Sequence, residues 1–223
     1  MIRGPGVVVL EHQEDDPAGL IGEWLDARGI AWTVVRTDDP QPDPAAPAAI
    51  ISLGSTHSAY AEEPSWIERH QLLLRAALAA ETPVLGVCFG AQALALAAGG
   101  EVTRAERPEL GWVEPESDQE ELRGPWLAWH FDSITTAPAA AEPLARSPHA
   151  LQAFRLGRSL GIQFHPEVTS TIWGWWTESE PDLARRHAGD PDAFAAGLAE
   201  RAGGLRERVF TLLDWWHRSL AEA

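Results

Sequence analysis

The sequence has a single cysteine, Cys88, and no lysine among its 17 basic residues. One thiol cannot form a disulfide within the chain, so a disulfide-stabilised scaffold is excluded. No apolar run approaches the roughly 20 residues that a membrane helix needs. The first apolar run, VVVL, is only four residues long, which is too short for the core of a signal peptide. We therefore expect a cytoplasmic protein with no membrane partner.

Two further features are missing. The sequence has no glycine-rich phosphate loop of the P-loop or dinucleotide-binding type, so it shows no means of activating a substrate with ATP. It also has no excess of positive charge, since its net charge is −16. Phosphate groups require a basic surface, and we therefore expect no nucleic acid as a partner.

Apolar segments and amphipathic segments alternate through the first hundred residues. Strands are predicted at residues 7–11, 31–35, 48–54 and 83–88, and helices at residues 64–80 and 90–100. A further helix follows the first strand, with Asp16 as its N-cap, Pro17 in its first turn and Gly29 as its stop. This order predicts an α/β fold with a largely parallel central sheet and helices on both faces.

The second half of the chain shows a different pattern. Residues 101–134 predict shorter strands with turns, in part antiparallel, and residues 151–168 predict a hairpin that turns near Gly157. The remainder is helical and acidic. Because there is no internal repeat and no linker, we expect one domain over residues 1–223, with a small antiparallel addition and a helical C-terminal extension over residues 168–223.

Cys88 lies between Gly86 and Gly90 in the segment GVCFG, where an apolar strand passes directly into a helix. This pattern is typical of a nucleophile elbow with sulfur in place of oxygen. Glycines on either side let neighbouring backbone pass close by. The N-terminus of the helix favours a thiolate and an adjacent oxyanion. The pattern alone is equally compatible with a small, buried structural cysteine.

A partner for the thiol occurs in the segment GIQFHPEV, which contains His165 and Glu167. A cysteine nucleophile needs an imidazole to accept its proton, and the imidazole needs an acceptor that fixes its orientation. Side chains two residues apart on extended backbone point the same way. Together with the elbow, this segment predicts a Cys–His–Glu triad.

The segments PVLGVCFGAQALA and GIQFHPEV together resemble the class I (triad) glutamine amidotransferases, and other segments are similar to the stand-alone, GMP-synthase-like members. The resemblance runs from the first strand to about Val168 and implies the flavodoxin-like fold of that family. It implies hydrolysis of the glutamine side-chain amide through a γ-glutamyl thioester, with no metal and no organic cofactor. The released ammonia would pass to a separate synthetase subunit or acceptor enzyme, which the sequence does not identify.

The resemblance also assigns roles to residues of the predicted triad. Cys88 would be the nucleophile, His165 the acid and base, and Glu167 the orienting carboxylate. The backbone N–H groups of Phe89 and Gly54 would form the oxyanion hole. The loop after the third strand reads LGSTHSAY and lacks the proline of the Gly-Gly-Pro-type loop found in many members, so a ligand or partner is expected to set it.

The substrate-binding roles implied by the resemblance fall on Gln92, Phe131 and Asp132. Gln92 lies four residues after the cysteine, on the same helical face. Phe131 and Asp132 belong to the segment WHFD, whose backbone would contact the α-amino and carboxylate groups of the substrate. For His130 in the same segment we expect a structural or gating role.

Two alternative functions remain open from the sequence. The same triad could hydrolyse γ-glutamyl amides larger than glutamine, or the chain could be a non-catalytic binding subunit. The tail is rich in tryptophan, including Trp173, Trp176 and Trp215. We expect these rings to pack the tail onto the sheet, and the alternative is that exposed rings anchor a partner.

Overall fold

The computed structural model of the chain describes residues 2, 6–179, 181–187 and 190–221. Its strands are β1 (Val7–Glu11), β2 (Trp32–Arg36), β3 (Ala49–Ser52), β4 (Val84–Val87), β5 (Glu101–Val113), β6 (Glu116–Ser117), β7 (Trp126–Thr136), β8 (Glu142–Arg146), β9 (Leu151–Leu156) and β10 (Ser159–Ile162). In the described residues the main sheet has the order β2-β1-β3-β4-β10-β9-β8-β6. The strands from β2 to β10 are parallel, and those from β10 to β6 pair antiparallel. The predicted, largely parallel α/β sheet is confirmed.

The helices are α1 (Gly19–Ala27), α2 (Trp66–Ala79), α3 (Phe89–Ala97), α4 (Ser170–Ser179), α5 (Pro181–His187) and α6 (Pro191–Ser219). Successive strand residues face opposite sides of the sheet, which divides the core in two. On β1, Val7 and Val9 belong to the apolar cluster that includes α1, α4 and α6. Leu10 belongs to the cluster that includes α2 and α3. Because helices cover both faces of the sheet, the strands β1, β3 and β4 are apolar along most of their length and do not alternate with polar residues.

The strands β5 and β7 form a separate antiparallel sheet. They are 13 and 11 residues long, so the expectation of shorter strands in this region is wrong. The ladder has a register shift between Arg104 and Glu109. Pro108 lies inside that shift, where no backbone N–H is required, so the strand continues past a residue that would otherwise end it. This sheet carries the WHFD segment to the edge of the main sheet.

The start of α1 also differs from the prediction. The helix begins at Gly19 with Ala18 at the N-cap position, and Asp16 makes no cap. Gly19 has φ +46°, and a Cβ there would lie 2.0 Å from the Glu167 carbonyl oxygen. Leu20 N donates to that same carbonyl at 2.9 Å. The chain therefore enters the helix through a tight turn against Glu167, which leaves the Asp16 side chain pointing inward.

The C-terminal helices pack onto the sheet. Trp173, Trp176 and Trp216 are buried, and Trp215 is half-buried against the same apolar cluster, whereas Trp175 is 42% exposed. Asp214 on α6 accepts a hydrogen bond from Trp24 Nε1 on α1 at 2.9 Å. The tail tryptophans thus serve mainly to pack the tail. Within the part of the chain that the structure describes, no helix has both the length and the apolar character needed to cross a membrane.

Candidate active site

Cys88 joins β4 to α3 in a strained backbone conformation, with φ 49° and ψ −106°. Positive φ is unfavourable for a residue with a Cβ and occurs where the surrounding structure enforces it. The neighbouring glycines allow this turn: a Cβ on Gly86 would lie 2.5 Å from the Gly90 carbonyl oxygen, and one on Gly90 would lie 2.1 Å from that of Ser52. The nucleophile elbow predicted from the sequence is therefore present.

His165 follows β10, the strand next to β4, and its backbone N donates to the Leu127 carbonyl at 2.7 Å. Its Nδ1 faces Glu167 Oε1 at 2.5 Å, and both side chains are buried. Because Nδ1–H donates to the carboxylate, Nε2 is left for the thiol. Burial disfavours the charged ring, but Glu167 and Cys88 outweigh it and raise the pKa of His165 well above its usual value. The arrangement favours a protonated imidazole ring beside the Cys88 side chain.

Cys88 and His165 open into a cavity of about 430 Å³. Its walls come from the loops after β1 and β3, from β5 and β7, and from the tail helices α4 and α5. Trp176 of α4 packs its ring edge-on against His165, with centroids 4.9 Å apart. Leu183 of α5 also lines the cavity. The helical extension therefore contributes part of the wall beside the triad.

The loop after β3 is held in place by side chains from elsewhere in the fold. Thr56 N donates to Gln13 Oε1 at 2.7 Å, and Ser58 Oγ donates to Asp132 Oδ2 at 2.5 Å. A Cβ on Gly54 would lie 3.2 Å from His165 Cε1, so this backbone borders the triad. These bonds order the loop even though the proline is missing. Among the hydrogen bonds of the described residues, the N–H groups of Gly54 and Phe89 have no acceptor.

The three predicted substrate-binding residues all line the cavity. Gln92 is buried, and its Nε2 donates to the Asp132 carbonyl at 2.9 Å and to Gln163 Oε1 at 3.2 Å. Phe131 lies beneath the guanidinium of Arg104, 4.6 Å from ring centroid to Cζ. The amide nitrogen of Gln92 is thus engaged by protein atoms, which leaves its amide oxygen as the group available to a ligand.

His130 lies on β7 between the cavity and the core. Its Nδ1 contacts the Asp132 carbonyl at 3.0 Å, and its Nε2 contacts Glu109 Oε2 at 3.2 Å. Gln152 Nε2 donates to the same Glu109 oxygen at 2.6 Å. Burial alone would raise the pKa of Glu109, but hydrogen bonds from His130 and Ser147 lower it. This network links the small sheet to β9, as the expected structural role of His130 requires.

Sequence reasoning missed three residues of the site. Asp16 is an acidic residue after a strand and before a proline, a pattern that predicts a helix cap as readily as a site residue. Arg104 lines the cavity because of its register on β5, and its carboxylate partner Asp132 lies 3.6 Å away on β7. Trp176 reaches His165 only because α4 folds back over the sheet. The last two depend on contacts between distant segments, for which the sequence carries no local signal.

One group of three described residues presents atoms of the kind that ligate metals, namely Asp16, His165 and Glu167. One ligand atom from each lies within 4.8 Å of the others. His165 Nδ1 and Glu167 Oε1 already contact each other at 2.5 Å. This geometry suits proton sharing between the three groups.

Comparison with known proteins agrees with this architecture. The family model described as "Glutamine amidotransferase class-I" matches residues 20–175, which include the elbow, His165 and Glu167. This chain belongs to the class I glutamine amidotransferase family.

Relatives within the family include enzymes named as glutamine-hydrolysing GMP synthases. The chain is 30% identical to the one from Aquifex aeolicus over 168 residues, which are 70% of this chain and 32% of that protein. It is 37% identical over 118 residues to a protein of Methanocaldococcus jannaschii that is named as one subunit of such a synthase, and the match covers 48% of this chain and 63% of the relative. The match thus spans less than two-thirds of the length of either relative.

Solved structures match more of the chain. A glutamine amidotransferase from Methylobacillus flagellatus has a TM-score of 0.86 at 26% identity, with 98% of this chain and 96% of that chain covered. A glutamine amidotransferase from Thermotoga maritima has a TM-score of 0.84 at 25% identity, with 94% and 96% covered. A match that covers 98% of this chain includes the helical C-terminal extension.

Proposed function

We propose that this protein hydrolyses the side-chain amide of glutamine through a thioester on Cys88 and supplies the ammonia to a separate acceptor enzyme. One observation carries the proposal: a strained cysteine at a sheet edge shares a cavity with a buried His–Glu pair. Membership of the class I family supports it, because a triad of this kind is general there.

In the proposed mechanism the Cys88 thiolate attacks the amide carbon of the substrate. The oxyanion that forms is stabilised by the N–H groups of Phe89 and Gly54, each contributing about 3 kcal/mol if it resembles other oxyanion-hole donors. His165 gives its proton to the leaving nitrogen, and ammonia departs. Water then attacks the thioester with His165 as base, and glutamate is released. Glu167 holds the ring orientation throughout.

Binding of the substrate would use the part of the cavity wall that α3, β5 and β7 form. Gln92 offers its amide oxygen, and the backbone of Phe131 and Asp132 runs along the cavity. The cation of Arg104 lies at the same wall. These groups together can hold the charged α-amino and carboxylate ends of an amino acid while its side chain reaches Cys88.

The acceptor is proposed to be a synthetase on another chain. The match to the Methanocaldococcus jannaschii protein, whose name makes it one of the subunits of a GMP synthase, supports this organisation. Isolated proteins of this kind can depend on a partner for full activity. The test therefore combines a rate with a covalent readout that requires no turnover.

The experiment measures ammonia release from glutamine by the purified protein and by Cys88→Ala. We expect release from the wild type and at least a ~100-fold smaller rate from the variant. In parallel, mass spectrometry after treatment with a glutamine-like electrophile should show one adduct, at Cys88, the only thiol of the chain. Equal rates in the two proteins would remove Cys88 from the mechanism. No release and no adduct would favour the non-catalytic binding protein instead.

A second candidate, hydrolysis of larger γ-glutamyl amides, is favoured by the size of the cavity. Its volume of about 430 Å³ falls in the range of about 300–1,000 Å³ typical for drug-sized ligands. A comparison of kcat/KM for glutamine and for γ-glutamyl amines separates the two. A preference for the amines would replace the first candidate with the second, with the same catalytic residues.

A further inference from the structure

Asp16 is an acidic side chain buried in the wall of the active-site cavity. It is 1% exposed, and its Oδ1 has no hydrogen-bond partner among the described residues. A Cβ on Gly54 would lie 2.2 Å from its Oδ2, so the carboxyl group is pressed against the loop after β3. Burial of a carboxylate that has neither a cation nor hydrogen-bond donors beside it costs much free energy. The presence of one here therefore requires an explanation.

The explanation lies in what Asp16 faces. Its carboxyl group lies beside that of Glu167, with one oxygen of each and a ring nitrogen of His165 all within 4.8 Å of one another, and Glu167 Oε2 is also buried without a donor. Two ionised carboxylates repel each other and neither can donate, whereas one proton between them satisfies both. Glu167 Oε1 already accepts from His165 Nδ1, and a carboxylate accepts such a hydrogen bond more strongly than a neutral carboxyl group does. The proton therefore belongs to Asp16.

The charges around Asp16 agree with this assignment. Burial and the negative charge of Glu167 raise the pKa of Asp16 well above its usual value, and His165 only partly opposes them. The neighbouring Asp15 adds a further negative charge that acts in the same direction. Cys88 raises the pKa of His165 but is not among the groups that shift the pKa of Asp16.

We propose that Asp16 is a positioning residue, a neutral carboxylic acid whose O–H donates to Glu167 and holds that carboxylate against His165. The side chains then form a series in the order Asp16, Glu167, His165 and Cys88. The two carboxyl groups next to the imidazole together carry one negative charge instead of two. A second negative charge would hold the proton on His165 too tightly for transfer to the leaving nitrogen. The kinetic part of this proposal rests on the proposed function, whereas the protonation state of Asp16 does not.

The direct test is infrared spectroscopy of the full-length protein with ¹³C-labelled aspartate. We expect the carbonyl band of a protonated aspartic acid to persist at neutral pH, where an ordinary aspartate is ionised. The band should be missing from Asp16→Asn. This readout needs no substrate, so it remains informative even if the protein releases no ammonia. A wild-type spectrum without the band at neutral pH would overturn the proposal while leaving the triad intact.

The kinetic test compares Asp16→Leu, Asp16→Asn and the control Glu14→Leu, which alters an exposed residue of the same loop. Leucine removes the donor, so kcat should fall by about 10- to 100-fold, a loss of the size found when hydrogen-bond partners that orient a metal-ligating histidine are removed. Asparagine is neutral and keeps a donor, so it should recover most of that loss with little change in KM. The control should match the wild type.

The pH profile separates positioning from a purely structural role. In Asp16→Asn, the pH above which activity falls should stay close to the wild-type value, because no charge is lost. If Asp16 were ionised, this substitution would remove a negative charge beside His165 and move that limb to lower pH by about one unit or more. Such a shift, or loss of thermal stability in Asp16→Leu with wild-type kcat, would contradict the proposal.

Discussion

A histidine pair behind the nucleophile elbow should make the fold sensitive to acid. His70 on α2 is 3% exposed, and its Nε2 contacts Ser52 Oγ on β3 at 3.0 Å. The ring of His12 packs edge-on against it, with centroids 4.5 Å apart. The Ser52 carbonyl is the atom that Gly90 approaches, so this cluster supports the turn that carries Cys88.

The size of the effect follows from the ionisation of His70. Burial lowers the pKa of His70 from 6.5 to about 3 in the folded protein. Between these values the unfolded chain binds a proton that the folded chain does not, so the free energy of unfolding falls as the pH is lowered. At ~1.4 kcal/mol per pH unit, the loss is about 2 kcal/mol at pH 5 and about 5 kcal/mol once both states are protonated.

Urea unfolding followed by tryptophan fluorescence at pH 7.5 and pH 5 measures this loss. His70→Gln retains a polar group for Ser52 but cannot titrate in this range. The wild type should therefore lose about 2 kcal/mol more than the variant between the two pH values. His149→Gln, at an exposed position, is the control and should follow the wild type. If wild type and His70→Gln lose the same free energy of unfolding, the reasoning about buried His70 is wrong.

Three further substitutions test the site and the elbow. Glu167→Gln removes the carboxylate that raises the pKa of His165. We therefore expect kcat to fall ~100-fold or more and the alkaline limb of the pH–rate profile to move to lower pH. An unchanged profile would contradict the assignment of Glu167 as the partner of His165. Gly90→Ala places a methyl group 2.1 Å from the Ser52 carbonyl oxygen and should cost about 1–3 kcal/mol of unfolding free energy together with most activity. Gly203→Ala in α6, where a Cβ meets no atom within 4 Å, should instead raise the free energy of unfolding by up to ~1 kcal/mol. Equal free energies of unfolding in urea for the two alanine variants would refute the steric argument.

Much of the site was predictable because its signals are local. A thiol between glycines at a strand end predicts a sharp turn, and the structure has one at Cys88, with φ 49°. Apolar runs predicted β1 with its observed bounds and β4 to within one residue at each end. Such patterns depend on backbone sterics and on the two-residue period of a strand, which neighbouring residues determine among themselves.

Other features depend on segments far apart in the sequence. The long strands β5 and β7 survive Pro108 only because each pairs with the other around a register shift. Trp176 enters the cavity wall because α4 folds back over the sheet. Neither feature has a local pattern that would reveal it.

The amino-acid sequence alone therefore determined that the protein has a reactive cysteine and a histidine–glutamate pair. It also determined which chemistry these residues suit. Tertiary structure decided that β10 lies beside β4, where Cys88 N donates to the Ile162 carbonyl at 2.8 Å and His165 follows three residues later. It also decided that Asp16 turns inward to Glu167 instead of capping α1. The physical reason is that burial and the approach of charges set the role of an ionisable side chain, and both arise only when distant strands and loops come together.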